Sequence, residues 1–160
     1  MNRIGYGWDS HRFVEGRPLV LAGVKIEHDK GLLGHSDGDA ALHALMDAMF
    51  GAAGLGDIGE QFPDTDPKWK DADSAALLAE AFGTLAQMGW GIVNVDLTII
   101  TEQPRLTKFK PAMRERVADL LGLDISAVAI KAKSAEGMGP VGAGEGLEVH
   151  AVVLLEEASG

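Results

Sequence analysis

Asp9 and His11, two residue types that hold metals, stand two apart in Trp8-Asp9-Ser10-His11. In an extended segment, residues i and i+2 point to one side, so this carboxylate and imidazole converge while Trp8 and Ser10 face away. Together they form two-thirds of an open tetrahedral shell of the kind catalytic zinc uses, whose third ligand commonly comes from a helix. His43 is the best candidate for that third ligand, one turn into a helix that begins near Asp39. The chain contains no cysteine, so any transition metal must sit on His and carboxylate. An Asp–His–His set suits Zn, Mn or Fe more than Mg and leaves a fourth position open to a phosphate oxygen. By spacing alone, Asp9 and His11 could equally make surface hydrogen bonds, with His43 a satisfied histidine at the core edge.

Further constellations follow along the chain. Gly34-His35-Ser36-Asp37-Gly38-Asp39 leads into the same helix, where orphan N–H groups favour an anion and His35 and Ser36 add donors. The alternative is a plain capped helix start, with Asp37 or Asp39 occupying the dipole. Asp57-Ile58-Gly59 and Phe62-Pro63-Asp64-Thr65-Asp66 place carboxylates on a Gly/Pro loop, able to bind sugar hydroxyls or form a lid, or simply to make Asx turns. Lys131-Ala132-Lys133-Ser134-Ala135-Glu136 ends a strand with lysines, a hydroxyl and one carboxylate. That set suits a diphosphate and its divalent cation, with Glu136 as the cation's single protein ligand; a strand-to-strand turn is the alternative. Arg105, Lys108, Lys110, Arg114 and Arg116 read as a mostly solvated basic face around a helix, although Arg105 beside Pro104 could touch a phosphate.

The elements that must position these groups can be read from periodicity. Residues 3–9 read as a glycine-rich strand entering a loop, and Leu19–Leu21 with Val24–Ile26 as a short hairpin or edge strand. Gly31–Gly38 reads as a loop. Leu42, Leu45, Met46, Met49, Phe50 and Ala53 recur at helical spacing, so a helix spans Asp39 to Ala53. Residues 54–71 read as a long loop without periodicity, of the kind that is usually functional or mobile. A second helix spans Ala72 to Met88, a strand Ile92 to Ile100, and a third helix Phe109 to Leu121 with Pro111 in its first turn. Strands from Val128 to Lys131 and from Leu147 to Leu155 complete the chain. The pattern predicts an α+β two-layer sandwich: a four- to five-stranded mixed sheet with helices on one face, residues 1–160 forming a single domain. The bare face of the sheet needs a cover, and another copy of the chain is the simplest one.

The 160 residues carry 14 basic and 24 acidic side chains, a net charge of −10 with His neutral. Such a chain repels nucleic-acid phosphates in general, so any small polyanion needs local help from metals and helix N-termini. No apolar run approaches the roughly 18 residues of a membrane span, and a cytoplasmic location is expected by default.

Taken in order, Gly5-Tyr6-Gly7-Trp8-Asp9-Ser10-His11, Leu33-Gly34-His35-Ser36-Asp37-Gly38-Asp39, Gly56-Asp57-Ile58-Gly59 and Phe62-Pro63-Asp64-Thr65-Asp66 closely resemble the 2-C-methyl-D-erythritol 2,4-cyclodiphosphate synthase family. The likeness extends through Val95-Asp96-Leu97-Thr98-Ile99-Ile100 and Gly144-Glu145-Gly146, nearly the whole chain. It implies a homotrimer with active sites between neighbouring subunits. Each site converts 4-diphosphocytidyl-2-C-methyl-D-erythritol 2-phosphate into the cyclic 2,4-diphosphate and CMP, on a non-mevalonate route to isoprenoids. The resemblance implies Zn²⁺ or a similar ion at Asp9, His11 and His43, and Mg²⁺ or Mn²⁺ at Glu136 across the diphosphate. It gives His35 and Ser134 the stabilisation of the transition state. Asp9, His11, His35 and Ser36 would also touch the substrate, and Asp57, Ile58, Gly59, Phe62, Pro63, Asp64, Thr65 and Asp66 would hold its methylerythritol part. Thr101, Glu102, Gln103, Pro104, Arg105 and Leu106, with Lys133, Ser134, Ala135 and Glu136, would hold the cytidine diphosphate end.

The chemistry fits a chain of this charge. The substrate's own 2-phosphate is the nucleophile, and two cations with a ring closure offset the repulsion between phosphates. The sequence departs from the family where Lys is common at Arg105, Thr at Lys133 to Ala135, an aromatic residue at Pro140 and Arg at Ala143, and the roles of those last two are not carried over. Rival readings of the same residues are a metal-dependent phosphohydrolase that activates water, and a non-catalytic trimer that binds CDP.

Overall fold

A computed structural model describes residues 1–159. Strand β1 (Asn2–Glu15) is followed by the hairpin β2 (Leu19–Leu21) and β3 (Val24–Ile26), then β4 (Lys30–Leu32). Helices α1 (Ala40–Ala53), α2 (Ile58–Gln61) and α3 (Ser74–Gln87) precede β5 (Trp90–Ile100). Helix α4 (Lys110–Leu121), β6 (Val128–Lys133), the single turn α5 (Gly139–Gly142) and β7 (Gly146–Glu157) complete the order. The main sheet runs β4-β1-β7-β5-β6, antiparallel throughout except for the parallel β5–β6 pair that α4 connects. It is a mixed five-stranded sheet in an α+β fold, as the sequence predicts, with β2–β3 as a separate small sheet.

Period-two alternation gives the sheet two different faces. Val95, Leu97 and Ile99 of β5 and Leu147, Val149, Ala151, Val153 and Leu155 of β7 are buried beneath the helices. Each fully buried Val, Leu or Ile among them contributes about 2 kcal/mol. In β1 the inward positions are Gly5 and Gly7, where a Cβ would overlap the carbonyls of Ala48 and Ala44, so α1 lies directly on the strand. The outward positions leave Ile4 73%, Tyr6 59% and Trp8 47% exposed.

Helix α1 is buried almost all round; His43, Asp47 and Gly51, spaced by four, are its only residues that are not. Asp39 caps it by accepting from the Leu42 N–H at 3.0 Å. The same carboxylate accepts from Ala22 N–H at 2.9 Å and Gly23 N–H at 2.7 Å, tying the hairpin to the helix. Complete burial, opposed by these donors and aided by the nearby Asp37 charge, pushes the Asp39 carboxyl up to about 6.

Three sequence expectations are corrected. Strand β1 does not end at residue 9 but continues to Glu15, because backbone pairing carries on through Arg12↔Gly146 where the polar run Asp9–Arg12 shows no apolar alternation. Part of the loop expected at Gly31–Gly38 is strand, since Lys30–Leu32 pairs with Phe13–Glu15. Residues 54–71 are not structureless: Asp57 caps α2, and Asp66 caps a 3-10 turn at Pro67–Trp69.

Candidate active site

The sequence places Asp9 and His11 on the helix-covered side of β1, and α1 brings His43 over them. His11 Nε2 lies 2.7 Å from Asp9 Oδ2, His43 Nδ1 3.2 Å from the same oxygen, and the two imidazole nitrogens 3.4 Å apart. One carboxylate oxygen and two nitrogens thus fall within 4.8 Å of one another, a donor set that fits a divalent ion. His11 donates its other N–H, at Nδ1, to the Leu33 carbonyl at 2.6 Å. Arg17 braces the following loop by donating to the carbonyls of Gly34 at 2.9 Å and Ser36 at 2.6 Å.

Burial works against the Asp9 charge, but the His11 and His43 rings beside it outweigh burial and hold the carboxyl below its ordinary value. Burial also works against a charged His11, yet Asp9 and the Leu33 carbonyl raise its pKa. A divalent ion bound here would have to displace any proton held between Asp9 and His11.

A cavity of about 200 Å³ opens from these three residues. His35, Ser36, Ile58, Gly59, Phe62 and Asp64 line it, together with Trp69 and Leu77. The Phe62 ring meets Trp69 edge-on at 4.8 Å, forming an apolar wall. Pro63, Thr65 and Asp66 lie on the exposed part of that loop, outside the lining. Asp57 Oδ1 accepts from the Glu60 N–H at 2.9 Å, so this carboxylate caps α2 at the rim.

A second cavity, of about 370 Å³, is lined by Thr101 through Thr107 with Ala132, Lys133 and Ser134. Its floor contains the cis Gln103–Pro104 peptide. Glu102 accepts from the Ala135 N–H at 2.5 Å and holds the turn that displays Ser134 and Glu136. Glu136 itself is exposed and its N–H donates to Ser134 Oγ at 3.1 Å, away from the Asp–His–His group. Both cavities lie at one end of the sheet, since Ser10, Glu148, Ile100 and Lys133 are neighbours across the strands. Three interstrand spacings, about 14 Å in all, separate their strands.

The YgbB family model matches residues 2–156. The chain belongs to the YgbB family. Similarity to the 2-C-methyl-D-erythritol 2,4-cyclodiphosphate synthase of Syntrophomonas wolfei is 50% identity over 98% of this chain and 99% of that one. A solved 2C-methyl-D-erythritol-2,4-cyclodiphosphate synthase with CDP bound superposes with a TM-score of 0.89 and 42% identity, covering 96% of this chain and all of that one. The bifunctional IspDF of Campylobacter jejuni matches at a TM-score of 0.94 and 44% identity over 98% of this chain. This chain spans 42% of that longer protein.

Around the Asp9–His11–His43 cavity, sequence reasoning missed Arg17, Trp69, Leu77 and Ser74, which lies behind the His43 ring. His43 Nε2 lies 3.0 Å from Ser36 Oγ and 2.8 Å from Ser74 Oγ. Aromatic residues on a Gly/Pro-rich loop were the available signal for Trp69; no local pattern marks the others. Pro140, one of the departures from the family pattern, lines another hollow of about 470 Å³, beside Trp8, Ser10 and His11.

Proposed function

We propose that this chain, as a single catalytic domain over residues 1–160, performs the cyclisation its relatives are named for. The substrate is 4-diphosphocytidyl-2-C-methyl-D-erythritol 2-phosphate, and the products are 2-C-methyl-D-erythritol 2,4-cyclodiphosphate and CMP. An oxygen of the 2-phosphate forms a bond to the β phosphorus, the bond from that phosphorus to the bridging oxygen breaks, and CMP leaves with the electron pair. The nucleophile is already an anion, so no strong general base is needed. The observation that carries this reading is the convergence of Asp9, His11 and His43 at the mouth of a cavity lined by Ile58, Gly59, Phe62 and Asp64.

Asp9, His11 and His43 would hold Zn²⁺ or a similar ion and Glu136 would hold Mg²⁺ or Mn²⁺, and together these supply the positive field that offsets phosphate repulsion. His35 and Ser36, on the cavity wall, donate to the methylerythritol phosphate. Asp57 to Gly59 and Phe62 to Asp66 enclose the sugar part and exclude water. Thr101 to Leu106 and Lys133 to Glu136 bind the cytidine diphosphate end, which agrees with the CDP carried by the solved relative. His35 and Ser134 steady the charge that develops on the transferred phosphorus.

The active unit is a homotrimer in the cytoplasm, with each site between two subunits. The exposed Ile4, Tyr6 and Trp8 on the bare sheet face support an assembly that covers them. The separation of the two cavities along one sheet end supports a seam at which one subunit's metal cavity meets its neighbour's nucleotide cavity. The net charge of −10 speaks against a nucleic-acid partner. Among the described residues, no helix is long and apolar enough to cross a membrane.

The test is incubation of the metal-loaded protein with the cytidylated substrate in ¹⁸O water. Equal release of CMP and cyclic diphosphate without ¹⁸O in the product is expected. Incorporated ¹⁸O would replace this reading with a phosphohydrolase, and CDP binding without turnover would leave a binding protein.

A further inference from the structure

Behind the His43 ring, on the side away from Asp9 and His11, lies a hydrogen-bond chain that ends in a carboxylate. Ser74, the first residue of α3, is completely buried. Its hydroxyl donates to Asp37 Oδ1 at 2.5 Å, and its backbone N–H donates to Asp37 Oδ2 at 3.0 Å. Asp37 therefore grips Ser74 with both oxygens. The Asp39 N–H donates to Asp37 Oδ1 as well, at 3.1 Å, which fixes the carboxylate in turn.

A hydroxyl has one proton. Because that of Ser74 is committed to Asp37, only its lone pairs remain for His43 Nε2, 2.8 Å away. The arrangement is satisfied only when His43 carries a proton on Nε2 and donates it to Ser74. In a neutral imidazole Nδ1 is then bare, and Nδ1 is the atom 3.2 Å from Asp9 Oδ2 and 3.4 Å from His11 Nε2. The opposite tautomer would put an N–H of His43 against Asp9, fill the space where an ion belongs, and leave Ser74 facing an unprotonated nitrogen. Ser36 Oγ, at 3.0 Å, is a second acceptor for the same proton, and itself receives the Gly38 N–H at 3.4 Å.

We infer that Asp37 and Ser74 are positioning residues: the chain Asp37–Ser74–His43 holds the imidazole in the tautomer and orientation that present Nδ1 to a metal ion. The inference rests on the metal-centre reading proposed above. Its chemistry is that of the carboxylate supports behind metal-bound histidines, here with a serine hydroxyl interposed, and such supports are typically worth about 10- to 100-fold in metal affinity. The chain also reaches beyond the ligands. The Asp37 N–H donates to the Ala72 carbonyl at 3.3 Å and the Asp71 N–H to the His35 carbonyl at 3.0 Å. The loop that precedes α3 and the loop that precedes α1 are thus stitched together at the relay.

The test compares the wild-type chain with Ser74→Ala and Asp37→Asn by two readouts. Zinc affinity is measured by competition with a chromogenic chelator. The His43 tautomer in metal-free protein is read from the ring-nitrogen shifts in ¹⁵N-labelled samples. The expected result is a proton on Nε2 in the wild type, a mixture of tautomers in Ser74→Ala, and zinc affinity weakened about 10- to 100-fold in Ser74→Ala and about tenfold in Asp37→Asn. Circular dichroism identifies a variant that has lost its fold; should Ser74→Ala do so, the near-isosteric Asp37→Asn decides. Variants that bind zinc as tightly as the wild type with His43 still protonated on Nε2 would overturn the relay while leaving the metal centre intact. A wild-type chain that takes up no zinc would overturn the metal centre, and the tautomer measurement would then decide the relay by itself.

Discussion

Gly7 in β1 lies directly against the backbone carbonyl of Ala44 in α1, and each is a near neighbour in sequence of a proposed metal ligand, Asp9 and His43. The missing side chain at Gly7 therefore sets how closely His43 approaches the strand. Gly7→Ala would force α1 outward, because the obstruction is backbone and cannot rotate away. We expect a loss of about 1–3 kcal/mol in stability, as for other overpacked cores, together with weakened zinc binding. Chemical denaturation and zinc titration check this; a variant as stable as the wild type would show that the helix has room to shift.

His11→Ala and His43→Ala each remove one proposed ligand. Both are expected to purify folded, to bind zinc far more weakly than the wild type, and to lose at least about 100-fold in turnover. Chelation of the wild type should reproduce the loss and added zinc should restore it. Elemental analysis alongside the CMP-release assay measures both effects, and full turnover at unchanged zinc content in either variant would remove these residues from the site.

Protons and the proposed metal ion would compete for the same atoms. The raised His11 contributes stability to the metal-free fold that is fully present below its ordinary 6.5 and lost as pH rises through its higher folded value. The lowered Asp9 contributes stability present above 3.8 and lost as pH falls through its folded value. The pair thus favours the metal-free fold most between those limits, and bound metal must displace the His11 proton. The rise in melting temperature caused by zinc should accordingly be small near pH 5.5 and large near pH 8. An equal rise at both would mean that zinc binds elsewhere.

On the bare face of the sheet, Ile4 is 73% exposed. If that face is the subunit seam, Ile4→Asp should lower the mass seen by light scattering towards that of one chain and reduce turnover with it. Zinc affinity at the Asp–His–His group should change far less. An unchanged mass would place the seam elsewhere.

Much of this was legible in the residues. The spacing of Leu42, Leu45, Met46, Met49 and Phe50 announces α1, and Asp9-Ser10-His11 announces two converging ligands because strand geometry is local. The continuation of β1 past residue 9 was hidden, since its inward positions there are Asp9 and His11 in place of apolar side chains. Ser74 and Asp37 were hidden for a different reason. Their partnership joins residues 37 apart in sequence, and neither neighbourhood looks unusual by itself. The resemblance to a family supplied the expectation of a nucleotide end; Thr101 to Leu106 and Lys133 to Ser134 do share a cavity but carry no local mark of it. Arg17, which clamps two carbonyls of the Gly34–Ser36 segment, belongs with Ser74 among contacts that only the folded chain creates.

The alternation along β1 has a consequence for how this chain can change. Odd positions from Gly5 to His11 serve the buried side and even positions from Ile4 to Ser10 the bare one, so a single strand encodes two surfaces in one reading frame. Inserting one residue between Gly7 and Trp8 would swap their destinations, sending the carboxylate and imidazole outward and an indole into the helix. Substitutions can vary each surface independently, but a length change in this stretch would erase both at once.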